Sequence, residues 1–283
     1  MVNIDVDRKK TLAFVKKTFT SSFPDKSTTF LVKIFERVQD LFEGRYPGYQ
    51  HSDTAYHDLT HTGKATVAVV RILDGHIKSG NSPALSWRDF ELIVAATLLH
   101  DSGFIKQVGD DEGTGGKYTL SHVKRSEKFA ARFLPEFGVT ADEIRLIQLA
   151  IDCTGVEVNI DEIPFANDRE SLLGWVLGTG DMLGQMAAPD YPESLYALYE
   201  EFAEAAAYSD TNDSWINDYS SAEDLLKQTR SFYEGYVKRM LETHWGGVHK
   251  ALSHHFSSGE NLYFQSIEAN LAHIERQVQE DEI

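Results

Sequence analysis

Apolar residues recur at three- and four-residue spacing along almost the whole chain, and no series of strand-like alternation interrupts them. Residues 25–43 place Phe30, Leu31, Ile34, Phe35, Val38, Leu41 and Phe42 on one helical face, and Gly44 follows as a stop. The same spacing predicts helices over 57–77, 86–100, 120–136, 141–153, 169–187, 191–208, 222–243 and 266–280. Ser86 with Asp89 and Thr140 with Glu143 have the spacing of capping boxes, in which side chains satisfy the first free backbone donors of a helix. Such a chain buries its apolar stripes only by packing helix on helix, so the predicted fold class is all-α. Two loops stand out. Residues 45–54 hold Pro47 and Gly48, and residues 106–118 hold four glycines and three acids, with 109–116 a candidate lid.

The 283 residues are 42% hydrophobic and no Pro/Gly/Ser-rich linker divides them, which predicts one helical domain over 1–283. A formal net charge of −17 disfavours binding to nucleic acid or to an anionic membrane, although a metal ion can reverse the field locally for an anionic substrate. The lone Cys153 cannot make an internal disulfide. The start is polar, at Asp7, Arg8, Lys9 and Lys10, and no apolar run is long enough to span a bilayer. These features predict a cytoplasmic protein; they leave the oligomeric state open.

Three chemical groups sit at the edges of, or inside, the helical stretches. His57 and His61 are four residues apart, a spacing that puts them on one face if both lie on a helix. His100-Asp101 ends the apolar run from Leu92 to Leu99, and Asp181 interrupts the apolar segment from Leu172 to Met186. Imidazole and carboxylate donors brought together by a fold suit a divalent transition metal (Mn, Fe, Co, Ni or Zn) better than they suit Mg or Ca. Taken singly, each is equally a buried polar group satisfied by hydrogen bonds.

In order and setting, His61, His100-Asp101 and Asp181 resemble the His…His-Asp…Asp signature of the HD-domain superfamily of metal-dependent phosphohydrolases. Tyr56-His57-Asp58-Leu59-Thr60-His61 is also similar to the opening Tyr-His-Asn-x-x-His motif of cyclic-nucleotide phosphodiesterases. The resemblance covers about residues 50–190. It implies an HD-type helical bundle with additional N- and C-terminal helices and one or two metal ions. His61, His100, Asp101 and Asp181 would be the ligands, with Asp101 as the bridge between two ions. It implies a metal-activated water that hydrolyses a small phosphate ester, in the range of nucleotides, cyclic nucleotides and related esters. His57 would protonate the leaving oxygen.

His122, after the glycine-rich loop, takes the place of a histidine that binds a second metal or the phosphate in related HD enzymes. Lys106 and Arg125 are candidate phosphate contacts. Phe104 and Gly155 depart from the phosphodiesterase pattern, which has histidine and aspartate there, so the resemblance stops short of cyclic-nucleotide specificity. Two other functions fit the same motif. One is a signalling or ligand-binding module that kept the fold without turnover, and the other is a di-iron oxygenase.

A further cluster of histidines, His244, His249, His254 and His255, lies around Trp245-Gly246-Gly247 and reads as surface residues on a loop. Tyr191, Tyr196, Tyr199 and Phe202 read as core or pocket wall, and Cys153 as a small buried hydrophobe. Residues 260–266 read ENLYFQS, a sequence widely used for removing affinity tags. An engineered scar and a native helix start are equally open at this point, because an amphipathic stretch with Ile267, Leu271, Ile274 and Val278 follows.

Overall fold

The computed structural model describes residue 2, residues 6–209 and residues 215–281. Among these residues there are eleven α-helices and no strand, only two isolated β-bridges, Glu43 with His51 and Tyr49 with Gln107. In chain order the helices are α1 (Arg8–Ser22), α2 (Thr29–Phe42), α3 (Leu59–Ser79), α4 (Trp87–Leu99), α5 (His122–Phe133), α6 (Ala141–Asp152), α7 (Asp168–Met186), α8 (Tyr191–Tyr208), α9 (Ala222–Phe232), α10 (Leu252–His255) and α11 (Leu262–Asp281). The predicted elements are present, with ends shifted by a few residues. None of the described helices is long and apolar enough to cross a membrane.

Local chemistry sets the ends. Both predicted capping boxes form, Ser86 with Asp89 and Thr140 with Glu143. Helix α3 starts later than its periodicity suggests. Asp58 is its cap and accepts from the His61 amide at 2.8 Å, so His57 lies outside the helix. Gly80, at φ 67°, ends it in the left-handed conformation that favours glycine. Helix α9 runs on through two wide π turns, Tyr233–Val237 and Met240–His244.

Helices α3, α4 and α7 form the centre. Helix α3 packs against α1, α4, α7 and α10, while α4 packs against α2, α6 and α7. Their burial goes nearly all round: from Leu92 to His100 every α4 side chain is shielded, as are Ala65 to His76 on α3 apart from Arg71. The threonine hydroxyls inside this layer bond to their own helix, Thr66 to the Thr62 carbonyl and Thr97 to the Ile93 carbonyl. Helix α7 approaches α3 at two glycines. A methyl at position 180 would overlap Val69, and one at 184 would come within 2.8 Å of the Lys64 carbonyl oxygen. That close approach brings Asp181 to His61.

The loop over 106–118 is tied down instead of hanging free as its composition suggests. Lys106 donates to the Gly113 carbonyl at 2.5 Å and pairs with Asp53 at 2.9 Å. Asp53 also accepts from the Gly115 amide, and Glu204 on α8 accepts from Thr114. Gly115 and Gly116 are buried.

Two of the four C-terminal histidines differ from expectation. His249, on a short 3-10 turn over Val248–Ala251, is buried and sits 3.2 Å from Glu242, while His255, on α10, meets buried Asp74 at 2.5 Å. His254 is exposed, as expected. Asp74 comes from α3, far away in sequence, so local spacing does not reveal the pairing of His255.

The ENLYFQS segment belongs to the fold. Tyr263 is fully buried and its hydroxyl accepts from Arg71 at 3.0 Å. Arg71 lies over the rings of Phe14, Phe256 and Tyr263, and the buried Ser266 hydroxyl accepts from the Val2 amide at 2.7 Å. A protease specific for this sequence is expected to leave the folded chain intact, because Leu262–Ser266 is helical, and to cut once urea has unfolded it; electrophoresis of timed digests reads the outcome. Gly184→Ala is expected to lower stability by about 1–3 kcal/mol through overpacking and to weaken metal uptake together with it, measured by urea denaturation and by metal content.

Candidate metal centre

Helix α4 delivers its C-cap residue, His100, to the middle of the bundle, and a 3-10 turn over Ser102–Phe104 turns Asp101 back beside it. His61 comes from the first turn of α3, and Asp181 from the middle of α7. All four are buried, with relative exposures of 5% for His61, 1% for His100, 3% for Asp101 and 8% for Asp181. Ligand atoms of His61, His100 and Asp101 all lie within 4.8 Å of one another, a buried triad capable of coordinating a metal ion.

Asp181 joins this triad. His61 Nε2 is 3.1 Å from Asp101 Oδ2 and 3.1 Å from Asp181 Oδ1. His100 Nε2 is 3.1 Å from Asp101 Oδ2 and 3.4 Å from Asp181 Oδ1. Despite these separations, His100 Nε2, Asp101 Oδ2 and Asp181 Oδ1 lack a hydrogen-bond partner. Unpaired buried polar atoms are costly, so three at one point call for an explanation. Ligands about 2.1 Å from a common ion stand about 3.0 Å apart in an octahedron and about 3.4 Å apart in a tetrahedron. The observed spacing matches a shared cation, and two imidazoles with two carboxylates fit a divalent transition metal.

The supporting shell fixes the imidazoles. His100 Nδ1 donates to the Thr97 carbonyl at 2.7 Å and His122 Nδ1 to the Thr119 carbonyl at 2.7 Å, which leaves each Nε2 as the lone-pair donor. His122 Nε2 lies 3.7 Å from Asp101 Oδ1, the carboxylate oxygen facing away from His61 and His100. Burial holds the His122 imidazole down to about 4, neutral at physiological pH.

His57 is held differently. It bends away before α3, yet its ring stays 5.3 Å from that of His61. Its Nδ1 donates to Glu201 at 2.5 Å, and the other oxygen of Glu201 accepts from the Tyr56 and His57 amides at 2.7 and 3.3 Å. Burial pushes the Glu201 carboxyl up, but His57 and these amides outweigh it and bring the carboxyl below its ordinary range. Phe104 stacks on both imidazoles, 4.2 Å from His57 and 4.4 Å from His122, and the two imidazoles are themselves 6.0 Å apart.

Lys106 and Arg125 are engaged elsewhere. Lys106 serves the loop as described, and Arg125 donates to the carbonyls of Gly103 and Ile105 while covering the Tyr118 ring. Neither lines the cavity beside the metal centre, so the structure does not bring them to a phosphate there. Arg125 instead clasps α5 to the turn that carries Asp101. Glu201 escapes sequence reading because it arrives from α8, far downstream; its one local signal is an acid on the helix face of Leu198, Phe202 and Ala205. Cys153 is buried and its thiol is pushed up by burial, as expected of an inert hydrophobe.

A cavity of about 420 Å³ opens off the centre. His57, His61, Asp101, His122 and Asp181 form one end of it, and Tyr191 and Phe202 belong to its wall. Tyr196 is exposed and Tyr199 donates to the Ser220 carbonyl, so only two of the four aromatics named from sequence reach the cavity. Comparison with family models, with curated proteins and with solved structures returns no match. The centre therefore rests on its own geometry.

Burial lowers the His61 pKa, but contact with Asp101 and Asp181 outweighs this and raises it to about 9; the same carboxylates raise His100. A protonated imidazole cannot ligate, so metal and proton compete. Metal affinity is expected to climb as pH rises from 6 toward about 9, with protons released on uptake, as titration calorimetry in buffers of different ionisation enthalpy measures. The metal-free fold runs the other way. Stability from His61 is full below about 6.5, the unfolded value, and is lost as pH rises through about 9.

Proposed function

We propose that the protein is a metal-dependent phosphohydrolase of the HD type, which cleaves a small phosphate ester with water. The observation that carries this reading is one cavity end that holds both parts such chemistry needs. One is the convergent donor set of His61, His100, Asp101 and Asp181, and the other is a carboxylate-held imidazole, His57, beside it. The resemblance to the HD signature in order and setting agrees with it.

A divalent cation at this centre supplies Lewis acidity toward a phosphoryl oxygen and acidifies water near neutral pH. The chain's residues divide the remaining work. His61, His100, Asp101 and Asp181 hold the cation. His57 gives a proton to the departing alcohol oxygen, and Glu201, bonded to Nδ1, keeps the ring in one tautomer and stabilises the imidazolium. His122, with Asp101 Oδ1, offers a lone pair and a carboxylate oxygen to a second cation; as a neutral lone-pair donor it does not suit a phosphoryl oxygen. The His57–Glu201 pair favours a hydrolase over a ligand-binding module, since a module without turnover has no use for an oriented proton donor.

Elemental analysis of purified protein and a panel of phosphate esters test the reading. His61→Ala and Asp181→Ala are expected to lose metal and activity together, while His57→Ala keeps the metal and loses about 10²–10⁴-fold in rate. Full metal binding by Asp181→Ala sinks the ligand assignment. Iron with oxygen consumption and no phosphate release replaces hydrolysis by oxidation.

A further inference from the structure

The cavity beside the metal centre has two ends of unlike character. The far wall is apolar, built from Leu195, Leu198, Phe202, Trp215, Tyr219 and Phe232. Phe202 packs edge-on against Trp215 at 4.8 Å and along Tyr219 at 5.9 Å, which gives that wall a continuous aromatic surface. Its volume of about 420 Å³ falls within the range of small-molecule sites, about 300–1,000 Å³.

Charge is nearly missing from that wall. Apart from histidines, Lys124 is the one cationic side chain lining the cavity among the described residues, and its ammonium contacts Glu127 at 2.7 Å and Asp152 at 2.6 Å. Residues 209–214, which precede Trp215, contain no lysine or arginine. Three carboxylates, Asp101, Glu157 and Asp181, also line the cavity. A second or third phosphoryl group reaching beyond the metal would find anions and apolar rings instead of cations.

Several of the polar groups that line the cavity are already engaged. The Gln185 amide oxygen accepts from Tyr56, and the Gln228 amide donates to Asp224 at 3.0 Å. The hydroxyls of Thr154 and Thr229 donate to the Ile151 and Leu225 carbonyls, each at 2.8 Å. An apolar body seated against the ring wall gains from leaving water.

We infer that the substrate is the phosphate ester of an uncharged apolar alcohol, aromatic or alkyl, with one phosphoryl group at the metal centre and its body against the Phe202–Trp215 wall. The assignment rests on the phosphohydrolase reading for the ester bond and on the cavity for the alcohol. Hydrolysis adds water to phosphorus, breaks the phosphorus–oxygen bond to the alcohol, and releases the alcohol with a proton from His57.

The test compares esters whose leaving oxygens are alike. With the metal-loaded protein, 2-(1-naphthyl)ethyl phosphate is expected to exceed glycerol 1-phosphate at least hundredfold in kcat/KM, and ATP to do no better than glycerol 1-phosphate. A second arm needs neither metal nor turnover: titration calorimetry of 2-(1-naphthyl)ethanol into metal-free protein. Leu198→Glu and Phe232→Glu, both at partly exposed wall positions, are each expected to weaken that binding at least tenfold, with circular dichroism confirming the fold. Equal or better turnover of glycerol 1-phosphate or ATP overturns the inference, as does binding of the alcohol that both variants leave unchanged. If the alcohol binds at the wall and no ester is hydrolysed, the phosphohydrolase reading fails and the apolar site stands.

Discussion

The burial of two carboxylates, Asp101 and Asp181, in the middle of an apolar helical layer is the constraint around which the rest is arranged. An ionised carboxyl group taken out of water needs compensating charge close by, and the chain places His61 and His100 within 3.4 Å of both. Those imidazoles in turn need fixed orientations, which explains the Thr97 carbonyl behind His100 and the cap at Asp58 that sets the first turn of α3. The helices must approach closely for any of this to meet, and the glycines at 180 and 184 remove the side chains that would hold α7 away from α3. Packing and electrostatics thus depend on one another: the centre needs the close crossing, and the crossing is made by residues one and three positions from Asp181.

Much of this was legible in the sequence because it is local. Periodic apolar residues reveal helices, and Ser86-Asp89 and Thr140-Glu143 reveal their starts through side chains three positions apart. The convergence of His61, His100 and Asp101 was legible for a different reason: the His-Asp pair and the paired histidines stand out as short motifs at helix edges, although the elements that carry them are far apart in sequence. Apart from the local cap at Asp58, which leaves His57 outside α3, what failed to show was tertiary in origin. Glu201 becomes the partner of His57 only when α8 folds back over the site. Lys106 and Arg125 have the charge for phosphate, but backbone carbonyls and Asp53 claim them. His255 and His249 look solvated until Asp74 and Glu242 arrive from other turns.

The periphery supports the centre in a similar way. Arg71 projects from α3 into a box of three aromatic rings contributed by α1, the segment after α10, and α11. The guanidinium links the two chain ends to the helix that bears His61. Arg125 performs the matching task on the other side, clasping α5 to the turn of Asp101.

Phe104 gives the site a property that none of its polar residues supplies. Its ring, 1% exposed, stacks on His57 at 4.2 Å and on His122 at 4.4 Å, while the two imidazoles stand 6.0 Å apart, so the three rings form a corner with Phe104 at its apex. A benzene ring neither accepts nor passes a proton, so it braces both imidazoles like a shared bookend without joining their chemistry. Neither histidine can swing its ring away without giving up that stacked contact.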